Sequence, residues 1–399
     1  MALPPLRASR RYRRDMNILA SPPPPLARNG DALRLDRLRE ALPAIAARAA
    51  ALDAEDGQLP VEDVEALAAA GVLTAPLPAE LGGLGWGTEP QGGDAAFAAL
   101  RLVGRASLPL GRLYEGHMNT LRLVLRHGTA AQRGAAADAA RDGMLFGVWN
   151  TESPTVSLRI EAGVLRGGKI LCSGVGLVER ALVTARMDGQ GPQQMLLVPL
   201  PRGTARADLA TWTPAGMRAS ATGRIDLDGI AVTPAMRLGE PDAYLGQPDF
   251  SAGAWRFLAV QLGGLEAVAE ALRQHLRRTG RGGDPHQAAR LGGVLAAAET
   301  ARLWVREAAR LAEAGREEAV AYVNLARGAV ERAALEVMEA ATRSVGLQGL
   351  MRPNPLERLL RDLGTYLRQP APDHALVSGA AAGLAREEPV GEMWPERGA

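Results

Sequence analysis

The chain has 399 residues and a formal net charge of +2, with 47% hydrophobic and only 4% aromatic residues. That length allows ~2 to 3 domains with real cores, the scattered basic residues exclude a nucleic-acid footprint, and a core of Ala, Leu and Val favours packed helices. The lone cysteine, Cys172, excludes an internal disulfide and fits a reducing compartment.

Residues 1–30 form a basic, Pro-rich segment without the apolar core of a secretory signal, and Met16 is an alternative start. No apolar run reaches the ~18 residues of a membrane span, so a soluble, cytoplasmic protein is expected. After the linker Ser21 to Pro25, Leu33, Leu35, Leu38, Leu42 and Ile45 fall near helical spacing. Pro60 suits the first turn of the next helix, and Gly71 its end. An ordered Gly- and Pro-rich loop follows, whose Val72, Leu73 and Leu77 require burial. Residues 93–142 read as two or three helices, one opening on a Thr129/Gln132 capping box.

From Met144 to about Pro248 the pattern becomes β. Short apolar runs at Ala181 to Ala185, Met195 to Leu200 and Ile225 to Leu227 alternate with Gly, Pro and Asp turns. Leu145 to Trp149 is a strand ending in the polar cluster Asn150 to Pro154, and Lys169 to Ser173 repeats that form before Gly174. Two strand ends bearing hydroxyls suit one face of a planar ligand. Helical periodicity returns from Ser251. Asp284 and Pro285 start a helix carrying Leu291, Val294, Ala298, Leu303 and Val305, an Ala-rich helix runs from about Arg316 to Ser344, and another begins at Pro355.

The runs WNTESP (149–154) and GGKILCSG (167–174) resemble two flavin-holding segments of the acyl-CoA dehydrogenase family. The stretches around Gly71 to Gly85, Leu113 to Gln132, Thr211 to Val232 and PLERLLRDLGTYLR (355–368) are similar to further segments of it, so the resemblance spans roughly Pro60 to Asp373. It implies an α+β, mainly helical fold: an N-terminal helical domain (31–142), a central β-barrel-like domain (143–250), a C-terminal four-helix bundle (251–386) and a tail (387–399). It further implies FAD, a small-molecule substrate with acyl-CoA as one candidate, an electron acceptor or flavin reductase, and a homodimer or homotetramer. No metal site is implied.

Carried over residue by residue, the flavin ring meets Val148, Asn150, Thr151, Leu171 and Ser173. Its pyrophosphate meets Arg278 (or Arg277) and Gln287, and a second subunit adds Arg343 and Gly346. The family's catalytic glutamate comes from one of two places, which here hold Pro370 and Trp255, and neither side chain accepts a proton. Glu115 and His117, on the helix that reaches the substrate pocket, are the candidate catalytic residues, Glu115 as a replacement for the missing base and His117 as the proton donor that a monooxygenase of this fold needs; plain structural roles for both are the competing reading. His374 matches a region near the FAD adenylate, which argues against a catalytic assignment. The leading expectation is an FAD-dependent oxidoreductase of acyl-CoA dehydrogenase type lacking its usual base. A flavin-dependent monooxygenase of the same fold and a non-catalytic paralogue are the alternatives.

Overall fold

A computed structural model describes residues 29–394 apart from Asp56 and Gln369. The basic start with Met16, the Ser21 to Pro25 linker and residues 395–399 of the tail lie outside the described residues.

Five helices come first: α1 (Asn29–Ala54), α2 (Val61–Ala69), α3 (Gly93–Ala106), α4 (Leu108–His127) and α5 (Ala130–Arg141). The capping box at Thr129 and Gln132 forms as its residues dictate, each side chain bonding the other's backbone N–H. Val72, Leu73 and Leu77 are buried in the loop after α2. Trp86 in the same loop donates its indole N–H to Asp31 at 2.7 Å, which seals the loop against α1.

The strands are β1 (Leu145–Trp149), β2 (Leu158–Glu161), β3 (Val164–Cys172), β4 (Val178–Met187), β5 (Gln190–Pro199), β6 (Ala207–Asp208), β7 (Gly223–Asp226) and β8 (Arg237–Leu238). They form one sheet in the order β6-β7-β3-β2-β4-β5-β8, with β1 also on β4. Both β1 and β2 run parallel to β4, β1 along Val178 to Val183 and β2 along Arg186 and Met187. The segment between them therefore leaves the sheet and returns to the same strand, and it holds the Asn150–Pro154 turn.

The remaining helices are α6 (Asp249–Ala252), α7 (Trp255–Arg278), α8 (Pro285–Glu313), α9 (Ala319–Val345), α10 (Pro355–Tyr366) and α11 (Pro372–Leu384). Asp284 caps α8 by accepting from the Gln287 N–H at 2.9 Å. Leu303 of α8 and Leu33 of α1 are exposed, because each lies off the face that packs inward. Helix α7 crosses α3 at backbone distance: a Cβ on Gly263 would meet the Arg101 carbonyl oxygen at 2.2 Å, and one on Gly104 the Val260 oxygen at 2.4 Å. Asp362 of α10 accepts from the Met217 N–H at 2.6 Å, and Gly216 lies against the Arg361 carbonyl, so the helical end and the sheet are joined. Among the described residues no helix is long and apolar enough to cross a membrane.

Candidate active site

A cleft of about 750 Å³ opens between the sheet and the helices. One wall is the end of β1, where Val148, Asn150 and Thr151 emerge; the other comes from α4, α7, α9 and the start of α11. That size suits a cofactor ring and a modest organic molecule.

The β wall is held by its own polar contacts. Lys169, the chain's only lysine, is fully buried and donates to Glu152 at 2.5 Å and to the Thr184 hydroxyl at 3.5 Å. Burial pulls its pKa down, and the Glu152 carboxylate opposes that. Glu152 also accepts from the Leu158 N–H at 3.2 Å, so one carboxylate ties the turn after β1 to both β2 and β3. The Thr151 carbonyl accepts from the Ile170 N–H at 3.0 Å, and the Thr184 hydroxyl donates to the Asn150 side chain. Thr151 is exposed at the cleft edge.

On β3 the alternation expected of a strand breaks. The register with β7 shifts between Lys169 and Cys172, and Leu171 within that bulge adopts φ +54° and is 52% exposed. Neither Leu171 nor Ser173 lines the cleft; the Ser173 hydroxyl accepts from Thr222 at 3.1 Å, and its carbonyl accepts from the Trp149 indole at 2.8 Å. An apolar side chain left exposed on a strained backbone beside a hydroxyl-bearing strand end fits a flat ring laid against this face.

The two candidates on α4 part company. Glu115 reaches the cleft, where its oxygens accept from Arg112 and from the Asn119 amide at 2.5 Å. His117 is fully buried and does not line the cleft. Its Nε2 meets the Leu73 carbonyl at 2.8 Å, and its Nδ1 accepts from the Phe146 N–H at 3.2 Å. Burial holds its pKa down to about 4, so the ring is neutral with both nitrogens engaged, a tie between α4, β1 and the loop after α2. Two residues apart on a helix means opposite sides, which separates the pair.

Pro370 lines the cleft and its carbonyl accepts from Arg327 of α9 at 2.6 Å. Trp255 is buried and donates its indole N–H to Glu313 at 3.0 Å. The adjoining Arg256 is buried on the same carboxylate at 2.7 Å, and burial lowers its pKa to about 10. His374, set apart from catalysis by its sequence position, stands in the cleft wall, exposed, one turn along from Pro370. Arg327 and Asn324 share that wall and were not singled out from the sequence; their contribution depends on α9 and α11 meeting, which no local pattern records.

The remaining candidates gather elsewhere. Gln287, its amide turned to satisfy both ends, donates to the Ser344 hydroxyl at 2.9 Å and accepts from Arg281 at 2.7 Å and Arg290 at 3.2 Å. Arg343 lies beside Glu339 at 3.5 Å, Gly346 ends α9 with φ +75°, and Arg278 is exposed at the end of α7. None of these lines the cleft within one chain. Arg281 and Arg290 complete the cluster beyond the residues the sequence pointed to.

Residues 36–139 match the family model described as acyl-CoA dehydrogenase, N-terminal domain, and residues 247–366 match the one described as acyl-CoA dehydrogenase, C-terminal domain. The amino sugar nitrososynthase DnmZ of Streptomyces peucetius is 31% identical over 361 residues, covering 82% of this chain and 87% of that one. Dibenzothiophene monooxygenase of Rhodococcus erythropolis is 24% identical over 344 residues, covering 76% and 81%. The crystal structure of KijD3 with FMN and an amino-keto sugar linked to dTDP superposes with a TM-score of 0.77 at 24% identity, over 92% of this chain and 96% of that one, and shares its fold. The chain belongs to the acyl-CoA dehydrogenase family and is an oxidoreductase of its flavin-dependent kind.

Proposed function

We propose that the protein is a flavin-dependent monooxygenase that oxygenates a nitrogen or sulfur atom of a small organic substrate, using reduced flavin delivered by a separate reductase. The observation that carries this reading is the character of the helical wall. Where an acyl-CoA dehydrogenase needs a carboxylate, the cleft presents Pro370, and its carbonyl is occupied by a guanidinium. The two carboxylates that do line the cleft are both engaged, Glu115 by Arg112 and Asn119 and Asp249 by Arg122 and Arg126, so abstraction of a carbon-bound proton lacks a ready base. The relatives support it: one is named for nitrososynthesis and the other for dibenzothiophene monooxygenation. It takes the monooxygenase alternative over the acyl-CoA dehydrogenase-type oxidoreductase that the sequence placed first.

When bound, fully reduced flavin would supply the two electrons and two protons with which dioxygen gives one oxygen atom to the substrate heteroatom and the other to water. The chain's own residues do the rest. Val148, Asn150 and Thr151 hold the ring's edge, with Leu171 and Ser173 beside them on β3. Thr184 and Lys169 fix that edge from behind through Asn150 and Glu152. His374 handles a proton at the reacting heteroatom, being the imidazole exposed to the cleft nearest Pro370 in the chain. Glu115 is a positioning residue for Arg112. FMN is the flavin we favour over FAD, since the neighbour KijD3 carries it. The cluster of Arg278, Arg281, Gln287 and Arg343 with Gly346 is left for a longer cofactor or a second subunit.

The test couples the purified chain to an FMN reductase with NADH under air. The reading predicts substrate-dependent oxygenation of an amine or sulfur compound that requires the reductase. Oxygenation that never appears while an acyl-CoA reduces the bound flavin removes it.

A further inference from the structure

Five arginines line the cleft, Arg112, Arg122, Arg126, Arg256 and Arg327, against two lining carboxylates, Glu115 and Asp249. A third, Glu313, stands directly behind. Four of the arginines are paired: Arg112 with Glu115, Arg122 with Glu313 at 2.9 Å, Arg126 with Asp249 at 2.7 Å, and Arg256 with Glu313 at 2.7 Å. With Arg327 included, the count is five cations against three anions, an excess of two positive charges on one concave surface.

Arg327 differs from the others. It donates one bond to the Pro370 carbonyl at 2.6 Å, and its guanidinium lies 5.5 Å over the Phe257 ring. No carboxylate ion-pairs with it among the described residues, and Glu331, whose charge acts on it, is bonded to Arg368. A guanidinium carries five N–H donors in a planar fork, stays charged at any working pH, and matches oxyanions two bonds at a time. Phe257 and Pro370 fix the plane of this one, so less freedom is lost when it binds. The same wall carries the N-terminus of α11, a helix of 13 residues whose cap, Ala371, lines the cleft at φ +52°. Its partial positive charge adds to that of Arg327. The Asn324 amide donates to Ser378 at 3.3 Å beside them, so this corner combines cationic and neutral polar groups.

We propose that Arg327 is the specificity-determining residue of the cleft, and that the substrate carries a phosphoryl or sulfonyl oxyanion that seats on its guanidinium. The inference rests on the monooxygenase reading for what is oxidised, but the binding it describes requires no turnover. The same chemistry has a second source, the phosphate of the flavin itself, and the measurement separates the two.

Flavin-free full-length protein is titrated by calorimetry with thymidine diphosphate and with methanesulfonate at fixed ionic strength, for the wild type, Arg327→Gln and Arg327→Lys. Losing a charged hydrogen-bond pair should weaken the better of the two probes about tenfold or more in Arg327→Gln, with partial recovery in Arg327→Lys. In the cofactor arm, the preference for FMN over riboflavin should be the same in all three proteins. Unaltered flavin binding also certifies that the variants fold. Three results overturn the proposal: a wild type that binds neither probe, an Arg327→Gln that binds as well as wild type, or a variant that loses its preference for FMN over riboflavin. Reduction of the flavin by an acyl-CoA would remove the monooxygenase reading and leave this titration to be judged alone.

Discussion

The two walls of the cleft are built on different terms. On the β side, buried and half-buried polar side chains meet one another: Lys169 with Glu152, Thr184 with Asn150, Ser173 with Thr222. On the side of α9 and α11, Arg327 meets a backbone carbonyl and an aromatic face, and His374 is exposed. A wall whose groups satisfy each other is pre-shaped for one constant occupant, whereas a wall with donors to spare waits for a partner. We take the first as the cofactor side and the second as the side that selects the substrate.

The sharpest way to break this contrast is to remove one member of each wall. Glu152→Ala leaves the Lys169 ammonium buried with only the Thr184 hydroxyl, which should cost about 3–5 kcal/mol in urea unfolding. Asn324→Ala on the helical wall should cost about 1 kcal/mol or less, since it removes one neutral hydrogen bond. Equal costs would erase the distinction.

A pH series probes the tie beneath the β wall. His117 has its pKa lowered from 6.5 to about 4 in the folded chain, so below pH 6.5 the unfolded chain binds a proton that the folded chain refuses. Stability attributable to this residue is therefore complete above pH 6.5 and lost as pH falls toward 4, about 3 kcal/mol over the whole window. His117→Gln should be less stable at pH 7 and should show a smaller fall between pH 7 and pH 5 than wild type. Parallel curves would mean that His117 titrates normally and faces water.

The smallest effect sharpens the cofactor side. Thr151→Ala removes one hydroxyl at the cleft edge and should weaken flavin binding by about 1 kcal/mol, roughly fivefold, without moving the unfolding midpoint of the flavin-free protein. An unchanged affinity would place the ring elsewhere.

Local signals carried the helices, the capping box at Thr129 and the helix start at Asp284, because each needs only residues three or four apart. The strands were legible through their apolar runs and turns. The bulge at Leu171 was not, since a register shift depends on β7, more than 50 residues away in sequence. Glu115 and His117, both candidates in the sequence, stand two residues apart on α4, and helical geometry turns one to the cleft and the other to the core. Arg327 escaped notice, and His374 was set apart from catalysis, because what matters about them is the meeting of α9 and α11 at Pro370, a tertiary event without a motif.

The most direct test of the account is an anaerobic titration of the flavin-loaded protein with acyl-CoAs of several chain lengths, followed by its visible spectrum. We predict that the oxidised flavin bands persist, and that they bleach only when an external reductase and NADH are added. Bleaching by an acyl-CoA alone would contradict the account, because it would require a base in the cleft where Pro370 and the Arg112-bound Glu115 now stand.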